Sequence, residues 1–110
     1  MSKDHDWNDC IQNNTAKEVT LDFQKAKSLQ HIAQGRIDFF ESLTPTEKTV
    51  NYFFEGYYTS ILEFLHAHLC DVGYKVINHL CLTYYLNEVL RRSDLHRLFD
   101  DCRLKRNNLQ

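Results

Sequence analysis

From Asn51 to Cys70 the chain reads NYFFEGYYTSILEFLHAHLC, and at helical spacing almost its whole circumference is apolar. Val50, Phe54, Tyr57, Ile61, Leu65, His68 and Val72 form one stripe, which Phe53, Tyr58, Leu62 and Leu69 widen. An arc that broad marks a helix covered on most sides rather than one lying on a surface. Glu55, Glu63 and Asp71 leave a narrow polar strip, so at least two other elements must pack here. Charges and histidines interrupt the run too often for a hydrocarbon core, which argues against a membrane span. The segment reads as the central helix of a small bundle.

The rest of the composition fits that frame. A length of 110 residues suits one domain with one core. With one proline and three glycines there is little punctuation, which favours long helices over many short strands. No charged n-region precedes an apolar run at the N-terminus, so no signal peptide is read there. Cys10, Cys70, Cys81 and Cys102 show no C-x-x-C spacing. They are expected as free buried thiols in a reducing cytoplasm, with disulfides or zinc the lesser alternatives.

Residues 1–14 are polar, lack a helical period and are expected as a flexible arm that Trp7 and Ile11 can anchor. Residues 15–110 then form the domain. Thr15-Ala-Lys-Glu18 has capping-box spacing and predicts the start of the first helix. Ala26, Leu29, Ala33, Ile37, Phe40 and Leu43 carry that helix forward in a three-four rhythm. Thr44-Pro45-Thr46-Glu47 predicts a cap, a proline at the first helical position and the start of the central helix. Gly73 can end it in the left-handed conformation, and Asn78 can cap the next helix after a tight loop. Ser93-Asp94 opens a fourth helix with Leu95, Leu98, Phe99, Cys102, Arg106 and Leu109 on a common face. The expectation is all-α: an up-down four-helix bundle, with short connectors forcing the first two helices antiparallel.

The formal charge of −2 conceals an asymmetry. Residues 91–110 hold six basic against three acidic side chains, net +3, whereas residues 1–90 hold seven against twelve, net −5. Such an end suits an anionic partner such as RNA or an acidic subunit face. The plainer reading is that these cations complement the C-terminal dipole of the last helix.

Motifs for chemistry are sparse. Glu63, His66 and Cys70 share one side of a helix while His68 points away, and no other segment supplies a matching motif. No metal site and no cofactor are therefore expected. No Gly-x-Ser-x-Gly elbow and no phosphate-cradling glycine loop occur. Tyr57-Tyr58 and Tyr84-Tyr85 could stack on bases, but at helical spacing one of each pair faces the core.

Lys25-Ala-Lys-Ser-Leu29, the stretch FFEGYYTSILEFLHAHL, the segment from Tyr74 to Leu86 and DLHRLFDDCRLKRNNL together resemble the HEPN domains (higher eukaryotes and prokaryotes nucleotide-binding). The resemblance spans Ala16 to Gln110 and implies a helical bundle that commonly dimerises. Many members are metal-independent ribonucleases, often toxins paired with a nucleotidyltransferase partner; others are non-catalytic binding modules. The family signature is an arginine followed by a polar residue, with a histidine four to six positions further on. Arg106-Asn107 matches its first half; Asn108, Leu109 and Gln110 follow, none of them a histidine. The last helix also reads as shorter than in the family, as expected either of a truncated chain or of a member without the nuclease half-site. Arg91 and His96 meet the spacing literally, although Ser93-Asp94 interrupts the helix between them.

By that resemblance Arg106 stabilises phosphate charge with Asn107 beside it, His96 is a lesser catalytic candidate, and Arg103, Lys105 and Arg106 contact nucleic acid. The leading expectation is a cytoplasmic homodimer associated with RNA or a nucleotide-bearing partner, without strong catalysis. The rival is a pure protein-interaction module, and third comes a metal-independent endoribonuclease using Arg106. No membrane contact is expected.

Overall fold

The computed structural model describes residues 4–109. The chain is mostly helical: α1 (Trp7–Gln12), α2 (Phe23–Glu41), α3 (Val50–Val72), α4 (His79–Tyr84) and α5 (Ser93–Leu109). A π-helical turn, Tyr85–Val89, extends α4. Two short strands, β1 (Ala16–Glu18) and β2 (Tyr74–Val76), pair antiparallel with Ala16 opposite Val76. Among the described residues no helix is long and apolar enough to cross a membrane.

Three local expectations hold. Gly73 ends α3 at φ 85°, donating its amide to the Leu69 carbonyl. The Asn78 side chain caps α4 by accepting from the Cys81 amide at 2.9 Å. Asp94 lies in the first turn of α5, where a carboxylate meets the positive helix end.

Others are corrected. The box at Thr15–Glu18 does not begin a helix. Ala16 to Glu18 form β1, because β2 offers them a ladder that local capping cannot outweigh, and α2 starts instead after Asp22, whose carboxylate accepts from the Lys25 amide. Thr44-Pro45-Thr46-Glu47 lies in the connector: α3 begins at Val50, with Thr49 Oγ1 accepting from the Thr46 amide at 2.9 Å.

The N-terminal stretch is no unstructured arm over its described part. Asp6 caps α1 through the Asp9 amide, and Trp7 packs edge-on against Tyr74 and Tyr85. A disulfide joins Cys10 of α1 to Cys81 of α4, both wholly buried, which overturns the free-thiol expectation for this pair. Cys70 and Cys102 remain free and half-buried.

α2 and α3 form an antiparallel hairpin. Phe40 meets Phe53, Arg36 reaches Ser60 and Glu63, and Asp22 lies beside Cys70. Ala26 and Ala33 are the buried residues of α2, and small side chains let the two helices approach closely. Gly56 allows the same closeness, since a Cβ there would fall on the Phe40 ring. The main core lies at the other side of α3, where Tyr58 and Leu69 meet Leu82, Tyr85, Leu86 and Phe99. Coverage of α3 is less complete than its apolar arc predicts: Val50, Tyr52, Ile61 and Val72 are all exposed.

Candidate functional site

The basic residues singled out in α5 converge on a column of rings rooted in α3. Phe99 stacks on Tyr58 with centroids 5.8 Å apart and on His79 at 4.7 Å, both nearly parallel. Helical spacing explains the assembly: Phe99, Cys102 and Arg106 recur at i, i+3 and i+7 along the side of α5 that meets α3. One step around the helix, His96, Asp100, Arg103 and Asn107 form a second row.

Arg106 ends the column. Its guanidinium carbon lies 5.4 Å from the Tyr58 ring centre, and Nε donates to Glu55 Oε2 at 3.1 Å. Both members of that ion pair keep about a third of their side-chain surface in water, at 37% and 35%. A pair so exposed is weak and exchangeable, on the order of 0–1 kcal/mol. Burial pushes the Tyr58 hydroxyl above its ordinary pKa, and the charges of Arg106 and Arg103 pull against that shift.

His79 was not singled out by the sequence, yet the fold brings it here as the first residue of α4. Burial lowers its pKa below the usual imidazole value; the Asp100 hydrogen bond opposes this, while the charge of Arg103 adds to it. The ring is therefore neutral at pH 7. Nε2 lies 3.3 Å from Asp100 Oδ1, so the geometry assigns the proton to Nε2 as donor. That leaves Nδ1 buried and without a partner. Arg103 Nε is also buried and unpaired by hydrogen bonding, because Asp100 Oδ1 at 3.8 Å is an ion-pair contact too long for a hydrogen bond. Lys105 and Asn107 are exposed, and Lys105 has no ion pair among the described residues.

His96 is half-buried and close enough to depress the protonation of His79. Arg91 is exposed with φ 54°, in the turn before α5. No hydrogen bond or ion pair joins Arg91 to His96 among the described residues. His79 and Arg103 thus meet at Asp100, and Arg106 lies nearly a turn further along α5 at Glu55 and Tyr58, whereas neither Arg91 nor the His96 side chain shares a hydrogen bond with them among the described residues. The signal available in the sequence was the Asn78-His79 pair at a helix start. It carried no information about which helix would face it.

The arrangement suits anion binding more than bond breaking. Two guanidinium groups are present, but the neutral histidine has one nitrogen on Asp100 and the other buried. Elsewhere, Glu63 of the Glu63–His66–Cys70 trio is engaged by Arg36. Asp4, Cys10 and Cys81 bring donor atoms within 4.8 Å of one another, but the two sulfurs are bonded to each other. No known family model matches this chain, and no curated protein or solved structure matches it either.

Proposed function

We propose that this protein is a HEPN-like helical module that works as a homodimer and holds RNA phosphates at the Arg106 end of α5 without strong catalysis of its own. The observation that carries the reading is the half-open Arg106, placed over Tyr58 and tied to Glu55 by an exposed pair that a phosphate can displace. Arg103, one turn away, and Lys105 extend the cationic surface, and Asn107 adds an exposed amide. Tyr58 itself is 7% exposed, held between Phe99 and Arg106, so it braces the guanidinium from behind.

Dimerisation is supported by an apolar hollow of about 280 Å³ between α3, the π turn and α5, lined by Ile61, Leu65, Leu86 and Leu98 among others. Leu98 protrudes beside this hollow at 55% exposure. A knob and a hole on one face form a self-complementary patch, as a two-fold interface requires. Two hairpins joined there would complete an up-down bundle across the pair. A nucleotidyltransferase-type partner belongs to the same reading. The Cys10–Cys81 bond favours a setting where thiols oxidise, which a cytoplasm supplies in special cases.

The test is fluorescence anisotropy with single-stranded RNA across a salt series. The expected result is metal-independent binding that weakens steeply with salt, with Arg106→Met reducing both the affinity and the salt slope. Salt-independent retention, or unaltered binding by Arg106→Met, refutes the RNA reading and leaves the pure interaction module. Metal-free appearance of 2′,3′-cyclic phosphate ends that vanishes with His96→Asn or His79→Asn overturns the non-catalytic part.

A further inference from the structure

A cleft of about 480 Å³ opens between the β1–β2 ribbon, the first turn of α2 and the C-terminal half of α3. Lys25, His66, Cys70 and Lys75 line it together with Thr20 and Tyr74. These come from four separate segments, and the backbone fixes their relation. Asp22 donates its amide to the Cys70 carbonyl at 3.1 Å, Val19 donates to Gly73 at 2.8 Å, and the strand ladder places Lys75 opposite Lys17. His66 and Cys70 follow one another by a single turn of α3.

The polar groups of this cleft have little to do inside the protein. Among the described residues neither Lys25 nor Lys75 has an ion pair, and the His66 ring makes no hydrogen bond. The one carboxylate in the lining, Asp22, is occupied by capping α2 through the Lys25 amide at 3.0 Å. Burial lowers the pKa of His66, and the Lys25 charge lowers it further, so the imidazole is a neutral donor in a positive field. Two lysines without ion pairs on the walls of one cleft suit a dianion better than a single carboxylate. A volume of about 480 Å³ exceeds what a bare oxyanion fills and falls within the range of small-molecule sites.

We propose that this cleft binds a small phosphate ester, with its phosphoryl oxygens between Lys25 and Lys75, His66 donating to them, and its organic body against Val19. The site is separate from the Arg106 end, since His66 lies eleven residues along α3 from Glu55, roughly 16 Å at the helical rise. It therefore stands or falls independently of RNA binding.

Cys70 supplies the readout. With Cys10 and Cys81 held in the disulfide, Cys70 and Cys102 are the two free thiols, and Cys102 lies on α5 away from the cleft. Oxidised protein is alkylated with iodoacetamide, and each site is followed by peptide mass spectrometry in the presence of ribose 5-phosphate, inorganic phosphate or succinate. The expected result is that ribose 5-phosphate slows Cys70 alkylation, phosphate does so more weakly, succinate has little effect, and Cys102 is unchanged. The Lys25→Met/Lys75→Met variant, altered at two exposed positions, is expected to keep its circular dichroism. It is expected to need about tenfold more ribose 5-phosphate for half protection. Equal Cys70 rates with and without ribose 5-phosphate overturn the proposal. So does protection that survives the double lysine variant, or that succinate gives equally well.

Discussion

Reducing the Cys10–Cys81 bond is the perturbation with the most calculable consequence. The two cysteines are 71 residues apart, so the bond closes most of the chain into one loop. In the chain-entropy treatment a loop of that size removes about 15 cal/mol/K from the unfolded ensemble, or ~4 kcal/mol at 25 °C. A domain of this size is held by roughly 5–15 kcal/mol in all, so the loss is a large share of it. With a urea slope of about 2 kcal/mol/M, the unfolding midpoint should fall on the order of 2 M when the bond is opened. The assay is urea unfolding followed by far-ultraviolet circular dichroism, with and without a phosphine reductant, beside a Cys10→Ala/Cys81→Ala variant. Thiol titration of the denatured, unreduced chain should find two thiols, and four after reduction. Superimposable unfolding curves, or four thiols before reduction, would refute the reasoning, because either result means that α1 is not tethered covalently to α4.

Three further outcomes follow from the packing and the charges. Gly56→Ala should cost roughly 1–3 kcal/mol in thermal unfolding, because the new methyl falls on the Phe40 ring, which must shift to admit it. Arg36→Met leaves the Glu63 carboxylate, at 20% exposure, without its cation and should destabilise by about 1–2 kcal/mol once the partial solvation of the pair is allowed for; a midpoint equal to the parent's in urea would count against this. His66 and His79 both have folded-state pKa values below the ordinary imidazole value, chiefly through burial. The unfolded chain therefore binds more protons, and the stability these rings contribute is present above about pH 6.5 and drains away as the pH falls toward their lowered folded values. Unfolding midpoints measured between neutral and mildly acidic pH should show that slope, and His79→Phe should flatten part of it.

What the sequence revealed and what it hid divide along one physical line. Gly73 and Asn78 were legible because a left-handed cap and an Asx cap depend on the residue itself and its next three neighbours. Thr15–Glu18 has equally good local credentials, yet Ala16 to Glu18 became β1, because the competing partner Tyr74–Val76 lies far along the chain. The disulfide was hidden for the same reason: nothing in the spacing of Cys10 and Cys81 marks two positions that the fold brings to 6.1 Å between Cα atoms. At the α5 end, the row of Arg103 and Arg106 could be read from helical spacing, but its partners could not. Glu55, Tyr58 and His79 enter from two other elements, and only the packing angle of α5 on α3 decides which of them an arginine meets.

The same angle accounts for the flank of α3 that stays bare. A helix apolar on nearly all sides needs cover all around, and in this chain α2 takes one side while α5 and β2 take another. Between them Ile61 remains 38% exposed at the edge of the apolar hollow, and Leu98 stands out beside it. The polar group in that hollow, His68, already shares a hydrogen bond with the Tyr85 hydroxyl at 2.9 Å, so the surface offers an occupant hydrocarbon and little else. In the homodimer proposed above, a second copy of the same face meets that requirement, each Leu98 entering the hollow of the other. Burying one leucine side chain is worth about 1.5–3 kcal/mol, and the two-fold doubles it. Leu98→Asp places a charge where each copy would have to desolvate it, and it should shift sedimentation from dimer to monomer while leaving the helical spectrum intact. A parent protein that sediments as a monomer at micromolar concentration would remove the dimer from the functional reading and leave the Arg106 end to act alone.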